Sequence, residues 1–159
     1  MPPISWHWKR FVDLEPAELY AVLGARAEVF IVEQACPFQD LDGLDAFAWH
    51  LLGWSQHDGA RMLAAYLRLI EPGRKYAEPS IGRVLTTAPF RGIGLGRAAM
   101  TEGLARAHSL YPGQAIRIGA QQRLERFYAE LGFRTVSEPY QEDNIAHVEM
   151  LRVADRDSA

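Results

Sequence analysis

Apolar and polar residues alternate at the start of the chain, with Ile4, Trp6 and Trp8 set against Ser5, His7 and Lys9. A period of two predicts a half-buried strand. The period then lengthens. Leu19, Val22, Leu23, Val29 and Phe30 recur at helical spacing, so residues 14–33 are expected to be mostly helix. Asp13 is the expected N-cap, and Pro16 falls in the first turn, where a missing N–H does no harm. Residues 36–45 (CPFQDLDGLD) break the pattern with Pro, Gly and acidic side chains, and are expected to form a loop.

Two apolar runs follow, His50–Trp54 and Met62–Ile70, on either side of Asp58-Gly59, a strong hairpin signal. Residues 71–80 (EPGRKYAEPS) are polar, carry two prolines and predict a solvated connection. Ile81–Thr87 is expected to be a buried strand. It leads into Arg91-Gly92-Ile93-Gly94-Leu95-Gly96 and then a helix striped by Ala99, Met100, Gly103, Leu104, Ala107 and Leu110, ended by Pro112-Gly113. Ala115–Ala120 is the next strand. Leu124, Phe127, Tyr128 and Leu131 form a further helical stripe, with Gly132 at a plausible C′ position, and Val136 and His147–Val153 supply the last strands. Without repeats or linkers, this alternation predicts one α/β domain over residues 1–159.

Composition narrows the picture modestly. A chain of 159 residues with 48% apolar residues can bury a core unaided. Cys36 is the sole cysteine, which excludes an internal disulfide and suits a reducing compartment. The first residues hold no apolar leader and no run approaches a membrane span, so the cytoplasm is expected and no membrane partner is. The net charge of −3, with no basic stripe, argues against a nucleic-acid partner.

The glycine-rich loop is the most informative segment. Alternate glycines let successive N–H groups converge on an anion, and the following helix aims its unpaired N–H groups and positive dipole end at the same place. Arg91 and Arg97 bracket it with charge, a chemistry that suits a pyrophosphate. A Walker A loop would need Lys-Ser/Thr after the last glycine, where Arg97-Ala98 stands. A dinucleotide fingerprint would need an acidic residue on the following strand, and residues 115–120 contain none. A glycine-lined connection without a ligand is the plainer alternative.

Arg91, Gly94 and Gly96 between a strand and a helix resemble the acetyl-CoA signature of the GCN5-related N-acetyltransferase (GNAT) superfamily. Downstream, Tyr128 followed after three residues by Gly132-Phe133 is similar to that family's second element. Residues 30–43, Ile81-Gly82-Arg83-Val84, Leu124–Phe133 and Glu142-Asp143 with His147 resemble the ElaA-like subgroup. The resemblance implies a mixed, strongly twisted sheet of about six or seven strands flanked by about four helices. It implies acetyl-CoA as co-substrate and no metal. Val84, Leu85 and Thr86 would meet the pantetheine arm and acetyl group. Arg91, Gly92, Ile93, Gly94, Leu95, Gly96 and Arg97 would cradle the pyrophosphate, and Gln121 would contact coenzyme A. The family's Val-x-Pro before the loop reads Thr86-Thr87-Ala88 here.

Acyl transfer from a thioester needs a polarised carbonyl, a proton for the thiolate and a neutral amine. A backbone N–H near Leu85 suits the first need. Tyr128 suits the second, since phenols titrate near 10 and thiols near about 8.5; it also reads as a core aromatic. For the base, Glu33, His50, Glu142 and His147 are candidates, each equally readable as a structural or solvated residue. Asp40, Asp42 and Asp45 could form an acidic rim for a cationic amine, or simply make turns. Cys36 could be a nucleophile or an inert buried thiol. No Gly-x-Ser-x-Gly elbow or zinc helix occurs, and the five histidines are scattered.

The leading expectation is an acetyl-CoA-dependent N-acetyltransferase acting on a small-molecule or peptide amine, as a monomer or homodimer. The alternative is a non-catalytic acyl-CoA-binding or sensing module. An acetylating toxin directed at aminoacyl-tRNA is disfavoured by the acidic charge.

Overall fold

A computed structural model describes residues 1–154; the last five positions of the expected domain lie outside it. The alternating N-terminus forms β1 (Ser5–Arg10), antiparallel to β2 (Ala48–His57), which turns at Asp58-Gly59 into β3 (Ala60–Ile70). β4 (Ser80–Thr86) completes an antiparallel sheet in the order β1-β2-β3-β4. A second sheet holds β5 (Ile116–Gln121), β6 (Arg134–Thr135), β7 (Tyr140–Glu142) and β8 (Ile145–Arg152). In it β8 lies against β5, β6 and β7, all antiparallel.

Among the described residues there are eight strands against the expected six or seven: the strand expected at Val136 appears as the short β6 just before it, and the three-residue β7 is additional. Such segments are too short for a period to show. The expected four helices become three: α1 (Pro16–Arg26), α2 (Leu95–Leu110) and α3 (Glu125–Ala129).

The N-cap of α1 is Glu15 rather than Asp13, which sits in a preceding 3-10 turn. The Glu18 carboxylate accepts from the Glu15 N–H at 2.9 Å and from Lys9 Nζ at 2.9 Å, fixing the helix start on β1. Beyond Arg26 the helix continues in wider π-type turns over Ala27–Glu33. α3 ends as foreseen at Gly132, φ +95°, with Phe133 N bonded to Tyr128 O and Gly132 N to Ala129 O, both at 3.1 Å.

Both faces of the first sheet are covered, which explains why β3 is apolar almost without alternation. On one face α2 packs Leu95, Ala99, Met100 and Ala107 against Leu51, Leu67 and Leu69. On the other, Val22 and Val29 meet Leu52, Leu63, Tyr66 and Leu85.

Three arginines interrupt this core and are neutralised by the 36–45 loop. Arg26 is fully buried; its Nε bonds Asp40 at 2.9 Å and its Nη1 bonds Asp45 at 2.6 Å. Buried Arg68 grips both oxygens of Asp42, at 2.9 and 2.5 Å, and shares Asp45 at 2.9 Å. Arg83 Nε takes the other oxygen of Asp40 at 2.8 Å. The three aspartates are therefore spent on internal cations. Asp42, partly exposed, also makes the expected turn contact, accepting from Leu44 N at 3.1 Å.

Burial pushes the Asp45 carboxyl up, but hydrogen bonds and charge from Arg26 and Arg68 overcome it and hold Asp45 below the ordinary carboxylate range. A depressed carboxylate contributes stability that is present above the unfolded value, near about 4, and lost as pH falls through the folded one. Asp45→Asn is therefore expected to cost about 3 kcal/mol in urea unfolding at pH 7, because two buried arginines lose their shared charge. The gap between variant and wild type should close as the pH is taken below about 4. A gap that stays constant with pH would remove the charge from the explanation.

Candidate active site

β4 and β5 lie side by side, yet they belong to different sheets. A backbone bond at their beginnings joins them, Arg117 N to Pro79 O at 3.1 Å. At their far ends Leu85 and Gln121 instead line a common cavity of about 860 Å³. The splay begins at a bulge. Tyr66 pairs with Leu85 but Arg68 pairs with Gly82, so Arg83 and Val84 face the single residue Leu67. Arg83 takes φ +53° there, and the β4 backbone is re-aimed just before Leu85.

Of the expected site residues, Val84, Leu85, Thr86, Arg91, Gln121, Tyr128, Glu33, Glu142 and His147 all line this cavity. Tyr128 is buried, and its hydroxyl has no hydrogen-bond partner among the described residues. Its ring is fixed edge-on between Phe127 and Phe133. Burial raises its phenol to about 12, so the small mismatch expected between phenol and thiol widens and the group stays protonated throughout the neutral range.

His147 stands directly across from Gln121 in the β5–β8 register. Its Nδ1 lies 2.7 Å from the Ile145 carbonyl and so carries the proton, leaving Nε2 with its lone pair, 3.6 Å from Glu142 Oε2. Gln121 is itself steadied, its Nε2 donating to Gln34 Oε1 at 3.2 Å.

His50 is elsewhere. It is buried in β2, with Nδ1 2.7 Å from the Tyr66 hydroxyl and Nε2 3.0 Å from Asp45 O. Burial lowers its pKa, and both nitrogens are occupied, so it is a structural neutral imidazole and not a base at the cavity. Cys36 is buried as well, its thiol donating to Asp143 O at 3.1 Å and tying the 36–45 loop to the β7–β8 turn.

The glycine loop follows the cavity wall at Arg91. Gly92 and Gly94 adopt φ +77° and +81°, which a side chain would strain, and Gly94 is the N-cap of α2. Residues 92–97 lie outside the cavity wall itself. Neither flanking arginine is free. Arg91 bonds Thr86 O at 2.9 Å and Glu33 at 2.7 Å, while Arg97 pairs with Glu130. Arg91 thus fastens the end of β4 to the π-type turns.

Gln34 and Phe38 lie in the 30–43 stretch of the resemblance without a role being assigned to them, and Lys75 and Arg123 had no signal that period or motif could raise. The buried arginines did have one. A charge inside the run Met62–Ile70 demands a partner, and the only acidic cluster nearby was residues 40–45.

The GNAT acetyltransferase domain family matches residues 57–153. The chain belongs to the GNAT acetyltransferase family. Within this family it is similar to a UPF0039 protein of Synechocystis, 42% identical over 93% of this chain and 94% of that protein. It is also similar to the protein ElaA of Escherichia coli, 36% identical over 94% of this chain and 96% of the relative. Among solved structures, an acyl-CoA N-acyltransferase of Pseudomonas aeruginosa superposes with a TM-score of 0.88 at 42% identity, covering 95% of this chain and all of the other. The ElaA crystal structure superposes at 0.86 with 36% identity, covering 94% and 99%. GNAT membership supports acyl-CoA-dependent acyl transfer as the general chemistry, and the GNAT fold generally takes acyl-CoA as donor. Among the described residues no helix is long and apolar enough to cross a membrane.

The loop geometry separates two kinds of glycine. Gly94→Ala is expected to destabilise the protein by about 1 kcal/mol in urea unfolding, through its left-handed backbone. Gly96→Ala, whose added carbon meets only Phe127 at 3.9 Å, should leave stability within about 0.5 kcal/mol of wild type. Equal costs at the two positions would overturn this division.

Proposed function

We propose that this chain transfers an acetyl group from acetyl-coenzyme A to a primary amine of a small molecule or peptide, by direct attack of the amine on the thioester. The carrying observation is that the β4 bulge before Leu85, the unpartnered hydroxyl of Tyr128 and the Nε2 of His147 beside Glu142 share one cavity. The thioester supplies an activated carbonyl and a thiol leaving group.

Each residue then has a defined task. The loop N–H groups from Gly92 to Gly96 and the α2 start hold the pyrophosphate, with Arg97 and Arg91 adding charge only as they leave Glu130 and Glu33. Val84, Leu85 and Thr86 align the pantetheine arm, Gln121 contacts it, and a backbone N–H at Leu85 polarises the carbonyl. His147 Nε2 takes the amine's proton, and Glu142 stabilises the imidazolium that results. The amine nitrogen bonds to the carbonyl carbon as the C–S bond breaks. Tyr128 gives its proton to the departing sulfur and later regains one from solvent. Because its phenol lies near 12, that transfer accompanies C–S cleavage and does not precede it. Glu33 is already engaged with Arg91 and is the weaker candidate for base. The enzyme is proposed to work in the cytoplasm, without a metal.

The reading predicts that Tyr128→Phe lowers kcat by about 10²-fold or more while the Kd for acetyl-CoA stays within about twofold, by calorimetry and thiol release. The wild-type kcat profile should show no falling limb from Tyr128 below about pH 11, because a phenol near 12 remains protonated until then. Unchanged turnover in Tyr128→Phe would remove the acid. Acetyl-CoA binding with no N-acetyl product, over a broad amine panel read by mass spectrometry, would favour the non-catalytic binding module instead.

A further inference from the structure

The loop between β3 and β4 brings a cation to the cavity that acyl transfer leaves unused. Gly73 N bonds Tyr76 O at 2.8 Å and shapes a tight turn. Arg74, in that turn, is committed outward: it pairs with Glu71 at 2.8 Å and stacks over Phe47. Lys75 lines the cavity. It is exposed at the mouth and has no hydrogen bond or ion pair among the described residues, its ammonium meeting only the Tyr76 ring at 5.6 Å.

The nearby carboxylates cannot serve it. Asp40 and Asp42 are consumed by Arg26, Arg68 and Arg83. Glu142, which with Asp143 supplies the other acids on this part of the wall, faces His147 at 3.6 Å, and neither makes an ion pair with Lys75. Although the residue is exposed, partial desolvation by the surrounding wall lowers the Lys75 pKa; the charges of Glu142 and Asp42 counter that, and Arg83 and Arg68 add to it. On this wall Lys75 therefore stands without an ion pair beside the paired Arg83, with acids and an imidazole on the β7–β8 side; Arg123, the other lining cation without an ion pair among the described residues, donates to Gln121 Oε1 at 3.0 Å. An acceptor bearing only amines would meet repulsion at Lys75, and a dianion would meet Glu142 and Asp143.

We infer that the acceptor is an amine that also carries one carboxylate, an amino acid or a peptide with a free carboxyl terminus, and that Lys75 binds that carboxylate while the amine reaches His147. This inference rests on the acyl-transfer reading above and specifies its substrate class.

The test compares matched acceptors, amino acids and short peptides against their carboxyl-amidated forms, with product read by mass spectrometry. Wild type should prefer the free carboxylate by about tenfold or more in kcat/KM, the scale of one charge-assisted contact, and the preference should lie in KM. Lys75→Ala should abolish the preference, and Lys75→Glu should turn it toward the amides, with acetyl-CoA affinity unchanged in both. An equal rate for both members of each pair in wild type, or a preference retained in Lys75→Glu, would overturn the inference and leave acyl transfer standing. Should no acceptor turn over, acyl transfer itself fails, and calorimetry of the same pairs on the coenzyme A complex decides the Lys75 site. Carboxylate-selective binding lost in Lys75→Glu would sustain it, and non-selective binding would end it.

Discussion

Two adjacent strands that separate govern this molecule. β4 and β5 are tied at their beginnings by Arg117 N and Pro79 O, and at their ends they enclose a cavity. Paired along their length, they would close a continuous sheet and leave no opening between their ends. The bulge at Arg83 and Val84 bends β4 away and lets Leu85 face the gap. Everything proposed for catalysis is arranged around that opening: α2 begins where β4 ends, and β8 carries His147 beside the end of β5.

Holding the bulge requires charge. Arg83 sits in a left-handed backbone conformation that a long side chain adopts at a cost, and its guanidinium is locked by Asp40 and Asp42. Those aspartates belong to a loop whose position Arg26 and Arg68 also fix from beneath. The network thus couples α1, β3, the acidic loop and the β4 bulge. It also engages Asp40 and Asp42 with arginines, so that neither pairs with Lys75. A buried network of this kind is conditional on its partners, since removing one acid leaves arginines desolvated without compensation.

Much of the fold was legible in local pattern. The alternation of Ile4, Trp6 and Trp8, the Asp58-Gly59 hairpin, the α2 stripe and the Gly132 stop all became the elements they implied. β6 was expected one residue late, at Val136, β7 was not legible, being too short for a period, and Asp13 lost the cap to Glu15 because Lys9 on β1 engages Glu18. The site was legible in part. The glycine loop and Tyr128 announce themselves by spacing, whereas four base candidates looked alike until burial set His50 apart and the β5–β8 register put His147 beside Gln121.

The sequence alone determined the period of each element, the left-handed turns that only glycine accepts easily, and the family those motifs belong to. These are matters of neighbours a few residues apart, where backbone sterics and side-chain spacing act directly. The tertiary structure decided which charges cancel: Asp40 meets Arg83 across 43 positions, and Cys36 meets Asp143 across 107. Whether a carboxylate is a salt-bridge partner, a turn former or a substrate contact depends on which cation the chain brings within a few ångströms, and no local pattern encodes that distance.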